Sequence, residues 1–310
     1  RIVGNDNLTT LEGLNSLEQV GGSLRIGEVV FLDWGLFDYA GNESLTSLEG
    51  LNNLSSVGGD LRIEDNGALT SIQALSNLTS VQGVTINDSA ISTLEGLGNV
   101  TALQAFWLGD SPNVTNLEGL PNTSALTMLT LNNNDALTSL RGLGDLPALT
   151  DLFLSGNPLS SLAPLNNVAV SNSLWIASSG ITSLEGLEGT TSLTYLRVEG
   201  NSRLTSLQGL DNLISVNRGA ANFYNGIEIS ANDALTSLVA LDSLEQVDGP
   251  IFLRGNQSLT SLVGLDNITN YQNTNRVEVI DNTSLDCTPP PVLPFVVDLS
   301  TGNLVNCPTP

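Results

Sequence analysis

Residues 125–147 read ALTMLTLNNNDALTSLRGLGDLP. Leu126, Leu129, Leu131, Leu137, Leu140, Leu143 and Leu146 form the inward apolar set of this stretch. Met128 to Asn132 alternates outward and inward residues, which is the period of a strand. Asn134 follows at a turn. The phrase LTSLRGL then returns with apolar residues three apart, a spacing that suits a short 3₁₀ segment better than a long helix. A stretch of this kind has an apolar side that it cannot cover by itself.

The chain supplies the cover by repetition. The same phrase restarts at Leu8, Leu45, Leu69, Ile91, Val114, Leu137, Leu159, Ile181, Leu204, Leu235 and Leu259, and in degenerate form (LDCTPP) at Leu285. Most steps are 22 to 24 residues. A fixed period of that length predicts a solenoid whose stacked coils share one core. The expected architecture is about 11–12 coils, with a curved parallel β-sheet on one side and 3₁₀ or irregular segments on the other. Residues 1–286 are assigned to this single elongated domain. Residues 287–310 are assigned to a cap in which Cys287 and Cys307 form a disulfide, followed by a Pro-rich tail. Such a bridge implies an oxidising compartment.

The phrase L-x-x-L-x-L-x-x-N-x-L resembles the leucine-rich-repeat signature. The trailing L-T-S-L-x-G-L is similar to the short repeats of internalin-like proteins. LEQVGGSLRI (residues 17–26) and LSSVGGDLRI (54–63) resemble receptor L domains. The resemblance covers about Arg1 to Leu285. It implies a solenoid with a concave sheet, and it implies burial for the turn residues Asn66, Asn134, Asn157, Asn201, Asn232, Asn256 and Asn282, with Ser89, Ser111 and Ser179 in the same column. A buried tight turn leaves backbone groups that need such partners. These residues read as structural.

Composition narrows the chemistry. The 310 residues carry a net charge of −23, no His, and nine basic residues that are all Arg. Without His or Lys, the Ser-His-Asp, Cys-His, Schiff-base and His-metal arrangements are closed to the chain. No catalytic residues, metal or cofactor are expected, and the chain does not read as an enzyme. Glu49, Glu95, Glu118 and Glu185 form a repeated outward column that reads as a solvated face. The acidic surface repels nucleic acid and anionic membranes. No run reaches the roughly 18 apolar residues of a membrane span, so membrane insertion is not expected.

With the inward residues assigned, the middle outward residue of each strand can be named. The column runs Arg62, Thr85, Trp107, Thr130, Phe153, Trp175, Arg197, Glu228, Phe252 and Glu278. It begins at Asp38 or Arg25, depending on which residues of the oversized first coil form the strand. Aligning backward from Asn42 makes Phe37 to Tyr39 the strand, and Leu24 to Ile26 is the competitor. A second oversized coil carries NRGAANFYNG between Val216 and Ile227. Both insertions are expected on one rim, at the N-terminal side of the strands. Trp107, Phe153, Trp175 and Phe252 place large rings where water should be, with Met128 and Tyr195 flanking and Arg197 in the column. Such patches mark binding surfaces, here for a protein or carbohydrate ligand.

The return side carries a regular hydroxyl lattice, including Thr46, Thr70, Thr205, Thr236 and Thr260 beside Ser47, Ser71, Ser206 and Ser237. Its uses range from coil packing to ice binding. Among the N-x-S/T sequons, Asn53, Asn77, Asn99, Asn122 and Asn267 share one outward position and are the expected glycosylation sites. Those at Asn42, Asn256 and Asn282 fall in the buried turn column and are expected to stay unmodified. The N-terminal stretch aligns as the end of a strand, with Ile2 matching Ile63 and Asn5 matching Asn66. It carries no polar cap, so the expectation is a missing preceding segment or self-association through that end.

The function expected from these features is adhesion or recognition by an extracellular or cell-surface protein, through the aromatic-containing face. The alternative is a structural glycoprotein subunit of a surface layer or filament. An ice-binding solenoid is a minor third reading.

Overall fold

The computed structural model describes residues 1–33, 36–121, 124–144, 146, 148–217, 226–271 and 277–286. The fold is a parallel β-solenoid, and among the described residues its only helices are three 3₁₀ turns. The chain divides into two compact units, Arg1–Pro147 and Ala148–Pro310. In the first, the strands Leu24–Ile26, Leu61–Asn66, Gly83–Ser89, Ala105–Gly109 and Met128–Asn132 pair in sequence order, all parallel. Ile2 adds a parallel bridge to Ile26. In the second, the same role falls to Leu149–Ser155, Val170–Ala177, Tyr195–Glu199, Gly226–Ser230, Ile251–Arg254 and Val277–Ile280. A narrower parallel sheet of two-residue strands runs from Ser192–Leu193 to Asn270–Tyr271 in this unit, each strand preceding the wide-sheet strand of its own coil.

Inward Leu, Ile and Val residues from strand and return phrase fill the core. Leu126, Leu129, Leu131, Leu137 and Leu140 are fully buried. Leu143 and Leu146 are only half-buried, contrary to the periodic reading. The turn itself is regular, with Gly142 in positive φ and the Leu143 amide bonded to the Leu140 carbonyl at 3.1 Å; it is the side chains after it that are less covered.

The return phrase takes two forms, chosen by its sixth residue. Where that residue is Ala or Pro, a 3₁₀ turn forms: Gln73–Leu75, Ala163–Leu165 and Val239–Leu241. Where it is Gly, the glycine adopts positive φ, as at Gly50 and Gly209, both at 111°. There the backbone lies against the preceding coil, and a Cβ on Gly209 would collide with the carbonyl of Leu184. Expectation of a 3₁₀ segment throughout is therefore met in one form and replaced by a glycine turn in the other.

The hydroxyl lattice works inside the stack. Thr46, Thr70, Thr205, Thr236 and Thr260 each donate Oγ1 to the carbonyl of the equivalent Thr one coil earlier, at 3.2 to 3.4 Å. The adjacent serines, such as Ser47, Ser206 and Ser237, accept the amide two residues on and tighten the turn. The outward asparagines have a similar duty. Nδ2 of Asn53, Asn77, Asn99 and Asn267 donates to a carbonyl of the preceding coil at 2.6 to 2.7 Å. Ser55, Thr79 and Thr101, the hydroxyl residues of three of these sequons, do the same. Asn212 makes the same bond to Glu188 at 2.9 Å without belonging to a sequon. The pattern N-x-S/T thus has a packing reason of its own. Asn122, Cys287 and Cys307 lie outside the described residues.

The oversized first coil resolves in favour of Leu24–Ile26, which pairs with Leu61–Ile63 and places Arg25 beside Arg62. Phe37 to Tyr39 is not the sheet strand, and Asp38 does not lead the column. Val29–Asp33 and Leu36–Tyr39 instead form an antiparallel hairpin that satisfies its own backbone. This hairpin follows its strand, so it leaves at the C-terminal end and not the N-terminal rim. The second insertion, residues 218–225, lies outside the described residues.

The buried turn column is confirmed. Asn232 Nδ2 donates to the Val198 carbonyl at 2.9 Å, and Asn232 Oδ1 accepts the Asn201 amide at 3.1 Å. Asn42, Asn256 and Asn282 are fully buried in the same way. Replacing Asn232 by Ala strands a buried amide and a buried carbonyl, so chemical denaturation should report a loss of about 2–4 kcal/mol. Gly209→Ala should cost more than ~1 kcal/mol, because both φ and the Leu184 carbonyl oppose it. Ala240→Gly, in the 3₁₀ form, should cost less in the same assay.

Candidate functional site

The outward column of the wide sheet is as the register predicts within each unit. Arg25, Arg62, Thr85, Trp107 and Thr130 are successive partners in the first. Phe153, Trp175, Arg197, Glu228, Phe252 and Glu278 are successive partners in the second. The two sets differ in how their rings are used.

In the second unit the rings are already occupied. Phe153 and Trp175 meet edge to face at 6.3 Å. The Arg197 guanidinium lies 4.5 Å from the centre of the Trp175 ring, a cation–π contact. Arg197 Nε also donates to Glu199 at 2.8 Å and stands 3.6 Å from Glu228. Arg254 repeats the motif, 4.1 Å from the centre of the Phe252 ring and hydrogen-bonded to Glu278 at 2.9 Å. Phe153, Trp175 and Phe252 are accordingly half-buried. Tyr195 is buried, not a flanking exposed ring, because it packs on the sheet with its hydroxyl donating to Glu228 at 3.3 Å. Burial is the main cause that pushes its phenol up to about 12, with the Glu228 charge adding to it against the opposing charge of Arg197.

In the first unit the ring is open. Trp107 is 46% exposed, and Met128 beside it on the next strand is 40% exposed. Its neighbours in the column are Thr85 and Thr130, which offer no charge. Gly109 lets the indole lie close to the sheet: a Cβ there would stand 3.2 Å from Trp107 Nε1. Trp107 lines a groove of about 750 Å³ that the hairpin helps to wall, through Val29 and Tyr39. Arg62, Glu64, Thr85, Asn87, Asp88 and Asp110 supply the rest of the lining.

Sequence reasoning found Trp107 and missed the acidic side of the groove. The signal was present. Asp65, Asp88 and Asp110 each precede the buried turn residue of their coil, in positive φ at 44 to 56°. Asp is among the few residues that tolerate this conformation. The turn therefore stacks three carboxylates along one edge of the sheet. Burial, and then the charges of Asp65 and Asp110, raise the Asp88 carboxyl above its ordinary range. Among the described residues no group of three or more acidic, His or Cys side chains is arranged to hold a metal ion. No helix among them is long and apolar enough to cross a membrane.

No protein-family model matches the chain, and no curated protein matches it significantly.

The Tyr195 environment has a measurable signature. Its phenol is favoured neutral in the folded protein, so its contribution to stability is complete below pH 10 and is lost as pH rises toward about 12. Ultraviolet titration of the folded protein should show one tyrosine ionising near pH 12. Tyr195→Phe should remove that step.

Proposed function

We propose that this chain is a leucine-rich-repeat recognition module of the extracellular or cell-surface kind. It acts by binding rather than by catalysis. The site is the groove of the first unit between the wide sheet and the hairpin. The observation that carries this reading is the contrast between rings on equivalent strand positions. Trp175 and Phe252 are covered by arginines of the chain, whereas Trp107 is left half-exposed in a groove. A large exposed ring on a rigid strand costs solvation and is the type of anchor that dominates binding surfaces. The leucine-rich-repeat reading is supported by the parallel strands, the buried Asn column and the glycine or 3₁₀ return turns. The extracellular reading rests on the acidic, lysine-free composition and the two terminal cysteines.

The test is an array of immobilised glycans and peptides probed with labelled protein. The native protein should bind a subset of spots, and Trp107→Ala should lose them while keeping its melting temperature within a few degrees. Equal patterns from the two proteins would remove the groove as the binding site.

A further inference from the structure

The second unit shows what this face does with an aromatic ring. Twice it places a guanidinium over the ring and holds the same guanidinium with a carboxylate. Arg197 joins Trp175 to Glu199 and Glu228, and Arg254 joins Phe252 to Glu278. The first unit has the ring and the carboxylates without the cation. Trp107 sits in the same column position as Trp175, and Glu64, Asp88 and Asp110 line the groove around it. The strand neighbour that supplies Arg197 in one case supplies Thr130 in the other. Among the described residues no arginine lies over Trp107. The single guanidinium in the groove, Arg62, stands two strands away and is engaged with Asp60 at 3.6 Å and Glu64 at 4.0 Å. The lining thus carries three carboxylates against one guanidinium.

From this internal comparison we infer that the groove takes an arginine side chain presented by a basic segment of a protein partner. The inference rests on the recognition reading above and names its ligand class. The guanidinium lies on the Trp107 ring, with Tyr39 on the hairpin side and the carboxylates of Glu64, Asp88 and Asp110 as ion-pair partners. Charge complementarity selects a polypeptide cation over a neutral sugar, because a neutral ring would leave the repelling carboxylates unrelieved. It also rejects anionic ligands. Planar guanidinium is favoured over ammonium because it can stack on an indole while donating from its edge to a carboxylate. The chain's charge of −23 steers such a partner from a distance, and the groove gives it a place to stop.

The experiment is fluorescence anisotropy of a labelled hexa-arginine peptide, titrated with the intact protein at 150 mM salt, a level at which about 8 Å of screening suppresses diffuse attraction. Native protein should bind. Trp107→Ala and the pair Glu64→Gln/Asp88→Asn should each weaken binding about tenfold or more. The pair Glu49→Gln/Glu95→Gln removes the same charge from the return side and should leave affinity unchanged. Hexa-lysine should bind more weakly than hexa-arginine. Equal weakening by both charge pairs, with no effect of Trp107→Ala, would overturn the site. Spermine competing as well as hexa-arginine would overturn the polypeptide assignment. Chito-hexaose captured through Trp107 in place of the peptide would overturn the cation assignment while leaving the recognition module standing. Loss of every ligand-dependent difference at Trp107 would end both readings together.

Discussion

Each coil must reverse direction inside the protein, and the buried asparagine after each strand is what permits it. A tight turn in an apolar core leaves amides and carbonyls with no water to meet them. The Asn side chain answers both needs with one group, its oxygen accepting an amide and its nitrogen reaching a carbonyl of the preceding coil. Ser89 and Ser111 serve the same column with a hydroxyl and bond to each other at 3.1 Å. At the described coils other than that of Gly41, the residue just before the column adopts positive φ, which restricts it mainly to Gly, Asp and Asn, with Ser178 and Ala231 as strained exceptions. A packing requirement in the core thereby decides which residues appear on the edge of the outward face of the sheet. The acidic side of the groove follows from it.

The same economy explains the return side. Thr, Ser and Asn recur there because each has a bond to make, either across coils or within the turn. Thr70 Oγ1 bonds to the coil before it, Ser71 Oγ tightens its own turn, and Asn77 Nδ2 reaches back again. A pattern that resembles a modification signal or a water-ordering lattice thus has a sufficient reason in packing. What varies freely is the middle outward residue of each strand, and there the two units diverge into ring-and-arginine pairs on one and an open tryptophan on the other.

Much of this was legible in the residues. Periodicity identified most of the strands and the outward column, because a period of two assigns each side chain to a face once one is known, and the leucine-rich-repeat resemblance implied the buried Asn column. Periodicity did not separate Trp107 from Trp175, since both are outward Trp at equivalent positions. The difference lies in the next strand, where Thr130 or Arg197 stands beside the ring. Tyr195 stands on the outward side, as the alternation requires, and what periodicity could not show is that it is buried there with its hydroxyl on Glu228. The first insertion was ambiguous because LRI and FDY both alternate, and only the self-pairing of the hairpin decides between them. Leu143 and Leu146 keep the spacing of the core and follow a regular glycine turn, yet are only half-buried.

The ladders share a direction. Asn232 reaches back to Val198, Thr205 to Thr182, Asn77 to Asn52, and Ser55 to Glu18. In each case the later coil brings the side chain and the earlier coil offers only backbone. A nascent chain emerges from the ribosome in that same order. Each coil then finds its docking template already made and needs nothing downstream to complete these bonds. A protein wired this way is suited to fold vectorially, coil upon coil, at the pace of its own synthesis.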